Sequence, residues 1–293
     1  MLIVLVNGLH SRIKQYPNVT LDTCGIGRQS SLLLSTTTTT TTTTGRQCFK
    51  WSTNETSSVQ NGRLALPGEF PWIAYIEGSE YFWGFWRTKT PDRTDNVRTV
   101  QDLRQSGHTY GVDKWFIHPN WSSTEKFKRG YDIAIVKLKS QIPIPTTTIP
   151  TPGLWFGQQI NGICLPEPNI MNTEQELALI AGYGSTTGDD VRNTGQLKMG
   201  WTVIAKPYDT TYPYTNIIVV FRYPHNTGAA MCYGDSGGPL IQFVGNRAVL
   251  IGIQSGISGT VGRCLSRQSD SKMAFIRLSS AVQWIVNTIN SNQ

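Results

Sequence analysis

The sequence predicts an all-β chain, folded as a sandwich or as barrels, on three observations. Strand-like runs recur at regular spacing between turn signals. The 28 glycines and 15 prolines supply turns, while plentiful Val, Ile, Thr, Tyr and Trp suit pleated, half-buried surfaces. A clear helical pattern stands only at the C-terminal end. At 293 residues the chain suffices for one large β domain or two ordinary ones.

Taken in order, residues 1–58 read as a non-globular lead. Met1 to Val6 is apolar but stops at Asn7, short of the roughly 7–15 apolar residues of a secretory signal. The threonines Thr36 to Thr44 cannot bury enough apolar surface to order themselves, and read as a flexible linker suited to O-glycosylation. From Gly68 the texture changes. Glu69 to Glu77, Gly111 to His118 and Asp132 to Leu138 read as strands, and Pro143 to Pro152 reads as a connector between two β lobes. The lobes are expected at about 59–150 and about 151–293. Further strands are expected at Leu177 to Ala181, Gly195 to Ile204, Ile217 to Phe221, Pro239 to Phe243, Ala248 to Gln254 and Lys272 to Leu278. The closing helix is expected to be capped by Ser279 or Ser280, with Val282, Ile285, Ile289 and Trp284 on one side.

Bulk properties exclude several classes. The net charge of +7 is spread along the chain, with modest basic clusters at Arg87 to Arg104 and Lys126 to Arg129, and no RNA motif or zinc-finger spacing accompanies it. No nucleic-acid partner is expected. No run approaches the roughly 18 apolar residues of a membrane span. Five cysteines (Cys24, Cys48, Cys164, Cys232, Cys264) form no Cys-x-x-Cys pair, and only four histidines exist, so no metal site and no cofactor is expected. Sequons at Asn18, Asn54 and Asn120 mark candidate glycosylation sites and favour a secreted, extracellular chain.

The stretch Gly234-Asp235-Ser236-Gly237-Gly238-Pro239-Leu240 carries the chemistry. A serine hydroxyl attacks only from a tight, exposed turn beside amide donors that can hold an oxyanion. Glycines on both sides permit that turn. The same letters fit the nucleophile elbow of α/β-hydrolases, whose histidine follows the serine. Here the histidines are His10, His108, His118 and His225, all before Ser236, which excludes that fold.

This stretch resembles that of the trypsin/chymotrypsin family. Gly68 to Trp72 is similar to the family's first strand, Asp132 to Ile135 to its catalytic-aspartate strand, and Ile163 to Pro166 and Ala181 to Gly184 to later motifs. Cys24-Gly25 and Ile117 to Trp121 resemble secreted invertebrate members. The resemblance covers roughly 59–290 and implies two six-stranded antiparallel β-barrels with the active site between them. It implies Ser236 as nucleophile, Asp132 as the acid that orients an imidazole, and Gly234 and Ser236 amides as the oxyanion hole. It also implies a zymogen whose new N-terminus at Val59 pairs with Asp235. Cys232 would pair with Cys264, and Cys164 with Cys24 or Cys48. Protein or peptide substrates and an activating protease follow as partners.

The departures are equally informative. The family's histidine precedes the aspartate by about 45 residues, yet no histidine lies between Ser11 and Gly107. The chain runs from Glu77 almost directly into Phe85 to Thr90, as though two strands and the histidine were lost in one block, leaving the first barrel incomplete. His108, His118 and His225 match no triad position and read as surface residues. Ser57-Ser58, in place of Arg or Lys, precede Val59. Ala230 at the base of the specificity pocket, Met273 on its wall and Ser255-Gly256 at its edge imply small apolar side chains in the substrate. The function implied is serine endopeptidase by family, impaired in this chain. The alternative is a non-catalytic homologue acting as a binding or regulatory protein.

Overall fold

Runs such as Ile217 to Val220 and Leu240-Ile241 are apolar at successive positions, as strands require when both faces are covered. A computed structural model of the chain describes residues 2–6, much of 59–90, most of 108–142, then 162–168, 176–184, 196–205, 215–258 with short breaks, and 272–292. The poly-threonine tract, the 143–152 connector, Cys24, Cys48, Cys264, Asn18, Asn54, His10 and His225 lie outside the described residues.

The second lobe contains β7 (Leu177–Gly182), β8 (Lys198–Ile204), β9 (Ile217–Arg222), β10 (Pro239–Val244), β11 (Arg247–Ser258) and β12 (Lys272–Arg277). Each pairs antiparallel with its neighbour in the order β8-β7-β10-β11-β12-β9, and β9 returns to β8 through Thr202↔Arg222 to Ile204↔Val220. The six strands close a barrel, which leaves none of them an open edge. Its interior holds Ala178, Ile180, Ile204, Ile218, Val220, Leu240, Ile251, Met273 and Phe275, all buried. A two-residue strand, β2 (Arg63–Leu64), adds to β8 beside Lys198 and Met199.

The first lobe is a sheet in the order β1-β6-β5-β4-β3: β1 (Leu2–Val6), β3 (Tyr75–Gly78), β4 (Trp86–Thr90), β5 (His108–Ile117) and β6 (Ile133–Leu138). Among the described residues it does not close. Its pairs are antiparallel except β1 on β6, which run parallel from Leu2↔Ile133 to Val6↔Lys137. The run expected as part of a loose lead is therefore a strand.

Two boundaries differ from expectation. The strand expected from Glu69 begins only at Tyr75, because the chain turns first: the Ile73 N–H donates to the Phe70 carbonyl over 3.1 Å. Glu69, buried, is held there by both terminal nitrogens of Arg63. The helix α1 spans Leu278–Asn290, so Ser279 and Ser280 lie inside its first turn and neither caps it. Arg277, extended, stands at the cap position, fixed by its N–H to Asn216 O (2.8 Å) and its Nε to Thr215 O (2.6 Å). Ser280 Oγ donates back to the Arg277 carbonyl over 2.8 Å. Val282, Ile285 and Ile289 are buried as the spacing predicts, packed with Ile133 and Ile135 of β6 and Ile253 and Ile276 of the barrel. The helix thus joins the two lobes.

Candidate active site

The Ser236 turn forms where β10 begins. Gly234 and Gly237 both take φ of 89°, a region that side-chain-bearing residues adopt only under strain, so glycine is required at both. The Asp235 N–H donates to Cys232 O (3.0 Å), the Gly238 N–H to Asp235 O (2.8 Å) and the Gly237 N–H to Gln254 O on β11 (2.9 Å). Gly234 and Ser236 are exposed at the top of this turn, and Asp235 between them is buried.

Asp132 immediately precedes β6, and its Oδ2 accepts a hydrogen bond from Ser255 Oγ over 2.7 Å. Ser255 follows Gln254, the residue that accepts from Gly237. Two consecutive residues of one strand therefore hold the serine turn and the aspartate to a common point. The resemblance places Ser255 at the edge of the specificity pocket; the structure sets its hydroxyl against Asp132. Gly256 pairs with Ala274 beside Met273, after a register shift between Gln254 and Gly256. The Met231 N–H donates to Met273 Sδ (3.2 Å), which brings the Ala230-Met231 segment against Met273. Ala230 and Met273 are both buried, at 3% and 0% exposure.

Asp235 is the most perturbed acid of the region. Its Oδ1 accepts from Gly184 N–H (2.7 Å) and its Oδ2 from Cys232 N–H (2.8 Å). Burial nevertheless pushes its carboxyl up to about 7, against the downward pull of the two amides. The seat is made by glycine: a Cβ at Gly182 would come 2.1 Å from Asp235 Oδ1, and one at Gly184 2.4 Å from its Cγ. The Ala181 to Gly184 motif carried this signal, two glycines around one aromatic. Val59 is fully buried in the barrel interior beside Ala229, Ala230 and Met231. Its φ of 37° is a strained setting for a β-branched residue. Gly62 closes the turn after it by donating to Val59 O (2.6 Å).

No histidine with a described side chain lies between Asp132 and Ser236. His118, half-buried, stacks on Tyr131 at 4.8 Å and meets Trp284 of α1 at 4.7 Å, while its Nδ1 accepts from Asn120 N–H over 3.2 Å. Burial lowers its pKa. It is a packing residue between lobe 1 and the helix, where a surface position was expected. His108 opens β5, and Asn120 is exposed on the turn after His118. Cys164 and Cys232 are disulfide-bonded, and the residues expected opposite them lie outside the described residues. Among the described residues there is no cluster of metal-ligating side chains, and no helix long and apolar enough to cross a membrane.

The trypsin family model matches residues 88–285, more than half of the chain. The chain belongs to the trypsin family of serine proteases. It is also similar to chymotrypsin-like elastase family member 1 of the dog, Canis lupus familiaris, at 26% identity over 248 residues, covering 75% of this chain and 86% of that protein. In the trypsin family, protein substrates are the rule.

Proposed function

We propose that the chain carries the frame of a secreted serine endopeptidase working through an acyl-enzyme, and that this frame is impaired because the histidine segment is missing. Ser236 is the nucleophile, Asp132 the orienting acid, and the amides of Gly234 and Ser236 the oxyanion hole. The observation that carries this reading is the pair of neighbouring contacts, Gly237 to Gln254 and Ser255 to Asp132. They tie the serine turn and the acid to two neighbouring residues of one strand, and no described imidazole side chain joins them.

Several finer assignments belong to the same proposal. Residues 1–58 precede a protease domain of 59–293, and cleavage before Val59 by an activating protease frees an ammonium for Asp235. Cleavage would release the Val59 strain and bring a counter-charge to a buried carboxyl held by two backbone amides. Small apolar side chains suit a pocket floored by Ala230 and walled by Met273. Cys232–Cys264, Cys164 with Cys24 or Cys48, and glycans at Asn18, Asn54 and Asn120 complete the secreted form. A second reading, a non-catalytic homologue that binds a protein partner, is favoured by the occupation of His118 in packing against Tyr131 and Trp284.

A fluorophosphonate probe tests the choice. We expect faint labelling of the chain as it stands and strong labelling of Ser236 once the family's histidine segment is inserted after Gly78. Strong labelling of the unaltered chain would refute impairment; no labelling after insertion would refute the enzyme.

A further inference from the structure

The apolar run Leu2–Val6 is a strand in the structure. It lies parallel along the outer edge of β6, with five consecutive register pairs from Leu2↔Ile133 to Val6↔Lys137. On the other side of β6 stands β5, antiparallel. Without β1, β6 would present a row of unpaired N–H and C=O groups, and four of its six residues are strongly apolar. Such an edge invites pairing with another chain. The β6 side chains are buried at every position but Lys137, so its edge is flanked by core on both faces. β1 also touches β11, the strand that carries Ser255.

We propose that Leu2–Val6 is a resident strand of the folded protein, one that covers the outer edge of β6 and takes the place another chain would otherwise fill. Its second role is positional. Leu2 pairs with Ile133, the residue after Asp132, so β1 reaches the point where the acid leaves the sheet. Covering β6 from Ile133 onward fixes the backbone from which Asp132 meets Ser255. The mode is strand addition, in which main-chain hydrogen bonds give affinity and alternate side chains give fit. Five apolar residues, three of them β-branched (Ile3, Val4 and Val6), suit such pairing. The inference is independent of whether Ser236 turns over substrate.

The test is hydrogen–deuterium exchange on the purified full chain, read in peptides covering Ile133 to Leu138. Val4→Pro removes a backbone N–H in the middle of β1 and fixes a backbone angle unsuited to the strand. It should speed exchange in β6 by roughly tenfold or more while leaving the β7–β12 barrel unchanged. Thr40→Pro, in the threonine tract, should change neither. Unaltered β6 exchange in Val4→Pro would overturn the proposal. A measurement that needs no disruption stands beside it: a photoreactive benzophenone side chain at position 4, irradiated in the folded protein. Cross-links mapped to β6 or β11 support the strand; cross-links mapped only elsewhere, or a folded protein from which residues 2–6 have been removed with β6 equally protected, refute it.

Discussion

The two lobes solve the same problem by different means. In the second lobe every barrel strand has two hydrogen-bonded neighbours, and one continuous interior from Ala178 to Phe275 is closed off from water. The first lobe is a sheet that does not close among the described residues, where its own core holds Tyr110, Val136, Leu138 and Ile142, with Val112 and Trp115 against it. Its buried strand β6 is shared. Val136 and Leu138 face that core, while Ile133 and Ile135 face α1 and β11 of the other lobe. The described sheet is thus held in part by contacts shared with the other lobe, and Asp132 inherits its position from them. The serine turn stands on the closed barrel; the acid stands on the shared strand.

The largest consequence of this asymmetry is catalytic. If the chain is impaired as proposed, inserting the histidine segment should raise the rate of Ser236 acylation on the order of 10⁴–10⁶-fold. Probe-labelling kinetics measure it. A gain of only a few-fold would mean that lobe 1 fails as a scaffold as well as in its chemistry.

The next effect compares the two cores directly. Phe275, fully buried in the barrel, should cost about 3–5 kcal/mol when cut to alanine, because a closed barrel cannot collapse into the cavity. Leu138→Ala, in the described core of lobe 1, should cost about 2 kcal/mol, the low end for a buried leucine, if the sheet there can relax around the loss. Denaturant unfolding of both variants gives the contrast. Equal costs would show that the first lobe is enclosed as tightly as the second.

Legibility in the sequence follows the same division. The barrel strands were readable because their apolar runs are bounded by turn residues, and the serine turn because only glycine tolerates the φ of positions 234 and 237. The family motifs did the rest. β1 was not readable: five apolar residues before a polar one look alike whether they lead or pair. Nor was the role of Ser255, whose partner lies 123 residues away in sequence, a distance that no local pattern spans. Ser279 and Ser280 misled the helix start because β12 runs straight into α1, and a backbone fixed at Arg277 leaves no place for a separate cap.

A subtler difference concerns pH and lies wholly in lobe 2. Asp235 has its carboxyl raised from an ordinary 3.8 to about 7 by burial. Between those values the folded chain holds a proton that the unfolded chain has lost, so this group stabilises the fold fully below about pH 4, and the contribution is lost as pH rises through about 7. Unfolding midpoints from pH 4 to 7.5 should therefore fall less steeply in Asp235→Asn than in the uncleaved parent. Cleavage before Val59 should reverse the trend, because an ammonium beside the carboxylate favours its charged form. A cleaved chain with the parent's slope would separate Val59 from Asp235.

The smallest effect tests the joint between the lobes. Ser255→Ala removes the hydroxyl that Asp132 accepts from, a bond of 2.7 Å between half-buried groups. Because Ser255 and Asp132 both keep some access to water, the loss should be about 1 kcal/mol, the typical net worth of one intramolecular hydrogen bond. Ser255→Thr keeps the hydroxyl and should recover most of it. If the two variants are equally destabilised, bulk at position 255 matters more than the bond. The serine turn and the acid would then be aligned by β11 and β6 packing alone, which returns the burden to Ile133, Ile135 and the helix that covers them.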